Sequence, residues 1–334
     1  MEDNYNAKLA SSELALLWGQ YQNDTLGICT ISYLLNIVED PKIKSILEYA
    51  LELAEGHVRV IKEIFHAEQH PIPMGFTEQD VNVNAPRLFS DTFMLNYMAG
   101  MGAIGLNSYS VSLPNSIRND IRDFYTSCLY SSAELVNRSA NLMLEKGVMV
   151  RPPYIPYPDQ VEFVQKQHFL AGWIGEERQL TTIEITNLFF NLQRNVLGNS
   201  LLTGFSQVAS EKSARQYFVK GAEISKHHSA VFAEIFSADN LVTPMSSDTA
   251  ATLSTVSPFS DKLRMFHINA LNAVGIGYYG ASLGSSPRRD LAATYTRLIA
   301  EVGEYAEDGA NIMISNGWLE KPPSSPDRRN LAKG

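Results

Sequence analysis

Two histidines are the candidates for chemistry in this chain. His57 and His228 stand 171 positions apart, and polar partners accompany each at matching offsets. Glu52 corresponds to Glu223, Glu134 to Glu304, and Asp24 to Asn195. Imidazole with carboxylate can hold a transition metal, bind a small polar ligand, or form a buried pair that titrates near neutral pH. Glu52 and His57 are five residues apart, about 140° round a helix, so they do not converge on one ion. His57, Asp24 and Glu134 are all expected near mid-bundle, as are His228, Asn195 and Glu304. The three readings left open are a structural polar layer, a mononuclear metal or small-ligand site, and exposed residues with no role.

Glu63-Ile64-Phe65-His66 is a second candidate. Glu-x-x-His puts both side chains on one helix face, and a dinuclear iron or manganese site needs that motif twice, with two further glutamates. The corresponding stretch, Glu234-Ile235-Phe236-Ser237, lacks the histidine. The same spacing on the fourth helix of each half gives Glu134-x-x-Asn137 and Glu304-x-x-Glu307. The dinuclear site is therefore incomplete, and Glu63 reads as a solvated helix end. Glu301, Glu304, Glu307 and Asp308 form a comb of acids that could draw a cation and reads mainly as a solvated face. His227 and His267 match Gly56 and Tyr97 and read as ordinary. Gly100-x-Gly102-x-x-Gly105 and Gly275-x-Gly277-x-x-Gly280 look like nucleotide-binding motifs, but such a motif needs a preceding strand. Both lie inside helices and only Gly105 and Gly275 correspond. Close helix approach, a kink, or room for a ligand beside the helix fits them better.

These matches belong to a repeat that uses almost the whole chain. Leu9-Ala10-Ser11-Ser12-Glu13 returns as Leu180-Thr181-Thr182-Ile183-Glu184, and Leu88-Phe89-Ser90-Asp91 as Pro258-Phe259-Ser260-Asp261. Asn141 to Gly147 returns as Asn311 to Gly317, each followed by a proline pair. A period this long excludes short solenoid repeats. Apolar residues at i, i+3, i+4 and i+7 predict four helices per copy. They run over Ser11–Val38, Pro41 to near His70, Asp91–Ser112 and Asn115–Lys146. The second set runs over Thr182–Ala209, Ser213–Ser237, Ser260–Leu283 and Ser286–Asn316. Thr181-x-x-Glu184 is a capping box, and Ala10 removes half of that device from the first copy.

Connection lengths set the topology. Helices 1 and 2 of each copy are joined tightly, as are helices 3 and 4, so each pair is antiparallel. About twenty residues separate the pairs, enough to run the length of a bundle. One long crossover between two hairpins is the ferritin-like pattern. The fold class expected is all-α: two tandem ferritin-like four-helix bundles with a long crossover between helices 2 and 3 of each, related by a pseudo-twofold. The boundaries are 1–150 for the first bundle, 151–180 for a Pro/aromatic-rich linker, 181–320 for the second bundle and 321–334 for a polar tail. Each bundle is long enough to bury its own core. In the linker, Arg151 to Pro158 should be extended, Val161 to Leu170 a short helix, and Gly172 to Gly175 an apolar turn, with the aromatics packed on the bundles.

A net charge of −9 argues against a general nucleic-acid surface. No run of eighteen apolar residues is present, so no transmembrane segment is expected. The start lacks a basic and an apolar region, so no classical secretory signal is expected. Cys29 and Cys128 do not recur, and they read as buried reduced thiols without a disulfide framework.

Asn84 to Asp91, Arg151 to Pro158, Ser257 to Lys262 and Tyr305 to Met313 carry a family resemblance. Over essentially its full length the chain resembles the two-repeat, ferritin-like proteins of endospore-forming bacilli grouped as domain of unknown function 3231. Some of those proteins carry a spore-coat label. The resemblance implies the fold and no activity. Two functions follow as expectations. The first is a non-enzymatic structural or interaction protein, cytoplasmic or spore-associated, with degenerate ferritin-like sites and no cofactor, partnered by a second copy or by spore-coat proteins. The alternative is a metal- or small-ligand-binding protein with oxidase-like chemistry, holding iron, manganese or zinc at the mid-bundle His/Glu set.

Overall fold

The computed structural model describes residues 7–172, 178–243 and 251–332. The first copy contains α1 (Ser11–Ile37), α2 (Pro41–Ala67), α3 (Asp91–Ser112) and α4 (Asn119–Glu145). The second contains α5 (Thr182–Val208), α6 (Lys212–Ala238), α7 (Asp261–Ser285) and α8 (Arg289–Ser315). The chain is all-α, with a long crossover between the second and third helix of each copy. None of the described helices is long and apolar enough to cross a membrane.

Local sequence explains the helix ends. The Asp40 carboxylate accepts from the backbone N–H of Lys42 at 2.8 Å and of Ile43 at 3.2 Å, and Pro41 occupies the first turn. Ser90 and Ser260 cap α3 and α7 identically, accepting from Phe93 and Leu263. Gly147 and Gly317, at φ +67° and +68°, stop α4 and α8 in the left-handed region that suits glycine.

The expected starts of the fourth helices are too early. A short 3₁₀ turn fills Leu113–Asn115, and α4 begins only at Asn119. The cause is Glu13, which is buried and draws the backbone N–H groups of Ile117 and Arg118 onto its carboxylate at 2.8 and 2.7 Å. Its other oxygen accepts from Ala10 N–H at 2.7 Å, so half a capping box survives without a threonine. Glu184 does the same for α8, accepting from Arg288 N–H at 3.1 Å. In both copies a capping glutamate ties the first helix to the fourth.

Two linker expectations fail. Of Val161 to Leu170, only Gln167–Leu170 turns, as a 3₁₀ turn. Of the described linker aromatics, Tyr154, Tyr157 and Phe163 do not pack on the bundles, being 77, 88 and 81% exposed, while Phe169 is half-buried beneath the Arg178 guanidinium. A helix this short needs a buried apolar face, and this segment has no core surface beneath it. Ile155 alone of that stretch, with Val150, packs against the second copy. The apolar turn expected from Gly172 lies largely outside the described residues.

The crossovers join the copies. Val81 bridges Phe259, and Phe89 bridges Ala251, both antiparallel. By the repeat, Val81 corresponds to Ala251 and Phe89 to Phe259, so each contact is the image of the other. That is an isologous contact, the mark of a twofold relation. Tyr97 and His267 also correspond, and they meet at 3.1 Å between the phenol oxygen and Nε2. Each copy keeps an outer apolar cluster, around Ile61, Phe65 and Ile121 in the first and around Phe232, Phe236 and Leu291 in the second. The largest cluster is shared, with Tyr33, Phe93 and Met94 from one copy and Phe205, Phe218 and Leu263 from the other. Each copy thus has apolar packing of its own, and a central cluster draws residues from both.

Candidate functional site

His228 sits on α6 with its side chain wholly buried. Its Nδ1 lies 3.0 Å from the Tyr279 hydroxyl on α7, and its Nε2 lies 3.1 Å from Glu301 on α8. Asn195 on α5 donates to the Asn191 carbonyl at 2.8 Å and to the Tyr279 oxygen at 2.6 Å. The carbonyl partner fixes which end of the Asn195 amide carries the hydrogens. The Tyr279 oxygen therefore accepts from Asn195 and donates its own proton to His228 Nδ1. This leaves Nε2–H to donate to the Glu301 carboxylate. Burial holds the imidazole pKa below its ordinary value, and the hydrogen bond to Glu301 only partly opposes that. The chain Asn195–Tyr279–His228–Glu301 is thus satisfied with a neutral histidine.

The first copy builds the related cluster differently. His57 Nδ1 stands 3.3 Å from Asp24 Oδ2, an ion pair rather than a well-directed hydrogen bond. Tyr109, the counterpart of Tyr279, packs edge-on against the His57 ring at 5.9 Å. Burial pushes the imidazole pKa down, but the interactions with Asp24 and Cys128 outweigh it and hold the group at about 10. His57 is therefore charged at neutral pH and His228 is not. Asp24 and Cys128 face His57 where Asn195 and Leu298 stand in the second copy, and there the half-exposed Glu301 only partly offsets the burial of His228. The Gln20 Oε1, Tyr125 hydroxyl, Asp24 Oδ2 and His57 Nδ1 atoms are buried without a hydrogen-bond partner here.

The remaining sequence candidates do not join these clusters. Glu134 is exposed and pairs with Arg138 at 2.7 Å. Glu304, Glu52 and Glu223 are exposed too, on the outer faces of their helices. The acid that meets His228 is Glu301, one turn before Glu304. Glu63 and His66 are exposed at the end of α2. Among the described residues, no group of three or more His, Cys, Asp and Glu could hold a metal ion. The donor set does not fit the dinuclear centre that a ferritin-like bundle would carry. Both cysteines are free and buried.

A cavity of about 180 Å³ opens against the His228 cluster. The second copy supplies most of its wall: Asn195 and Gly198 on α5, Ile224 and His228 on α6, Gly275 and Tyr279 on α7. The first copy closes it with Gly100 and Ile104 on α3. The glycine motifs explain the space. In the first copy, Gly102 and Gly105 press α3 onto α4: a Cβ would meet Val136 Cγ2 at 2.9 Å and Ser132 Oγ at 2.6 Å. At Gly275, the counterpart of Gly105, a Cβ would meet nothing within 4 Å. The same glycine is packed in one copy and faces open space in the other. Two residues that sequence reasoning passed over, Tyr279 and Arg194, complete the site together with Glu301, which the sequence had placed mainly on a solvated face. Tyr279 carried a signal, since it recurs with Tyr109, whereas Glu301 recurs only as Ser131 and Arg194 only as Asn23.

Fold and site together describe a tandem helical-bundle protein with a cavity at the boundary of its repeats. The chain belongs to the family described as "Protein of unknown function (DUF3231)", whose sequence model matches residues 2–161 and again 168–331. No curated protein matches it. Among solved structures it is similar to a Bacillus halodurans C-125 protein described as a "putative spore coat protein", at 18% identity, with a TM-score of 0.41 over 46% of this chain and 98% of that one.

Proposed function

We propose that this protein binds a small, mainly apolar molecule in the cavity beside His228. The observation that carries the reading is Gly275, whose missing side chain leaves space that its counterpart Gly105 does not have. A protein interior normally fills a void of this size, and an apolar cavity of about 150 Å³ is known to take up benzene or xenon. Apolar walls with a few fixed polar groups at one end are the usual form of a small-molecule site. The role is binding rather than catalysis, since the polar chain at the cavity is already satisfied internally. The test is saturation-transfer NMR with toluene on the full chain. Transfer is expected in the wild type and should vanish in Gly275→Leu. Absence of transfer in the wild type, or undiminished transfer in a folded variant, sinks the reading.

A second reading is a structural or interaction protein associated with spores, its ferritin-like sites degenerate. The exposed linker favours it: Tyr154, Tyr157, Val161 and Phe163 present apolar surface with no cover of their own. Crosslinking of full-length protein to a second copy or to coat fractions through this segment is its expected signature.

A further inference from the structure

Among the described residues, the guanidinium of Arg194 lies at the edge of the cavity. Arg194 on α5 is exposed to solvent and also lines the cavity. Its guanidinium lies 3.6 Å from the centroid of the Tyr278 ring, which fixes its plane. One N–H reaches Asn191 Oδ1 at 3.2 Å. No carboxylate among the described residues pairs with it. Arg118 pairs with Glu68 and Asp120, Arg178 with Glu184 and Arg264 with Asp261, whereas Arg194, like Arg122 and Arg215, bonds only neutral groups among the described residues. Glu301, the acid of the polar chain, is not part of the cavity lining and is engaged with His228. Arg194 is also specific to the second copy, since Asn23 occupies its place in the first and bonds its own helix at Gly19. Tyr278, which orients it, replaces Ser108. Cation, orienting ring and open space thus occur together in one copy and are all absent from the other.

We infer that the ligand is a small monocarboxylate, its anionic head on Arg194 and its apolar body against Gly275, Ile224 and Ile104. This rests on the reading of the cavity as a binding site. A guanidinium offers five donors in a planar fork that matches a carboxylate, and among the described residues its partners, Asn191 and Tyr278, are neutral. The volume fits a single ring or a chain of about six carbons, by comparison with the benzene-sized cavity above. The neutral His228 adds no second cation, so one negative charge is matched and a dianion is not.

Calorimetry and thermal shift on the full chain at pH 7, with hexanoate, hexan-1-ol and acetate as probes, test this. Hexanoate should bind on the order of tenfold more tightly than hexan-1-ol, the difference a charge-assisted hydrogen bond makes. Acetate should bind much more weakly than either, having the head without the body. Arg194→Gln, at an exposed position, should bring hexanoate down to the level of the alcohol. Equal affinity for hexanoate and hexan-1-ol in the wild type overturns the carboxylate inference and leaves the cavity reading standing. Binding of neither six-carbon probe overturns the cavity reading itself. A hexanoate preference that survives in Arg194→Gln overturns the role given to Arg194.

Discussion

Alanine at Gly275 and alanine at Gly105 should change stability in opposite directions. The two positions correspond in the repeat, and both lie inside long helices. Replacing a mid-helix glycine by alanine is worth about 0.5–1 kcal/mol, because it restricts the unfolded chain. At Gly275 nothing opposes that gain, since no atom stands within 4 Å of the added Cβ. At Gly105 the same methyl meets Ser132 Oγ at 2.6 Å, Tyr109 Cε2 at 3.2 Å and Ser132 Cβ at 3.4 Å. Forcing a methyl into a filled site costs about 1–3 kcal/mol, which offsets the helix gain and exceeds it. The two variants should therefore differ by about 1–3 kcal/mol, Gly275→Ala the more stable. Equilibrium urea unfolding with a common m-value reads the difference as a shift of midpoint. Equal changes in the two variants, or a destabilised Gly275→Ala, would refute the claim that the repeats differ in packing at this glycine.

Three further outcomes follow from the polar groups. Burial lowers His267 to about 4, so the unfolded chain binds its proton first. Stability is then present above pH 6.5 and falls as pH drops toward 4, by up to about 3 kcal/mol, and His267→Phe should flatten that slope between pH 7 and 5.5; an unchanged slope contradicts it. His57, raised to about 10, stabilises the fold below pH 6.5 and loses that contribution as pH rises through 10. Asp24→Asn should bring its NMR titration below pH 7, and a titration that stays high would show that Asp24 is not what holds the charge. Glu13→Ala strands three backbone N–H groups, of Ala10, Ile117 and Arg118, and should cost about 2 kcal/mol or more in urea unfolding. Glu304→Ala, on the exposed face, should stay within about 0.5 kcal/mol, and similar losses in the two variants would contradict the roles assigned to these acids.

Much of the architecture was legible because it is local. Apolar spacing placed all eight long helices, and loop length placed the crossovers. The starts of α4 and α8 were misplaced because Glu13 and Glu184 take the backbone groups there, a contact between residues about a hundred apart. The pairing of His57 with Asp24 was legible from their position along two adjacent helices. The histidine partner in the second copy was not. Recurrence pointed to Glu304, matched by Glu134, yet both face solvent, and Glu301 has only Ser131 as its counterpart. What differs between the copies sets the polar groups at the cavity: Arg194 for Asn23, Tyr278 for Ser108, Asn195 for Asp24. The cavity itself was hidden because it depends on how closely α7 approaches its neighbours. The glycine motifs allowed both close approach and room for a ligand, and the structure uses one in each copy.

A crystal of the full-length protein pressurised with xenon measures the central claim directly. Xenon has no polar preference and occupies apolar space wherever it is large enough. The account predicts xenon density beside Gly275, between Ile224 and Ile104, and none beside Gly105. No xenon at Gly275, or equal occupancy at the two glycines, would contradict it.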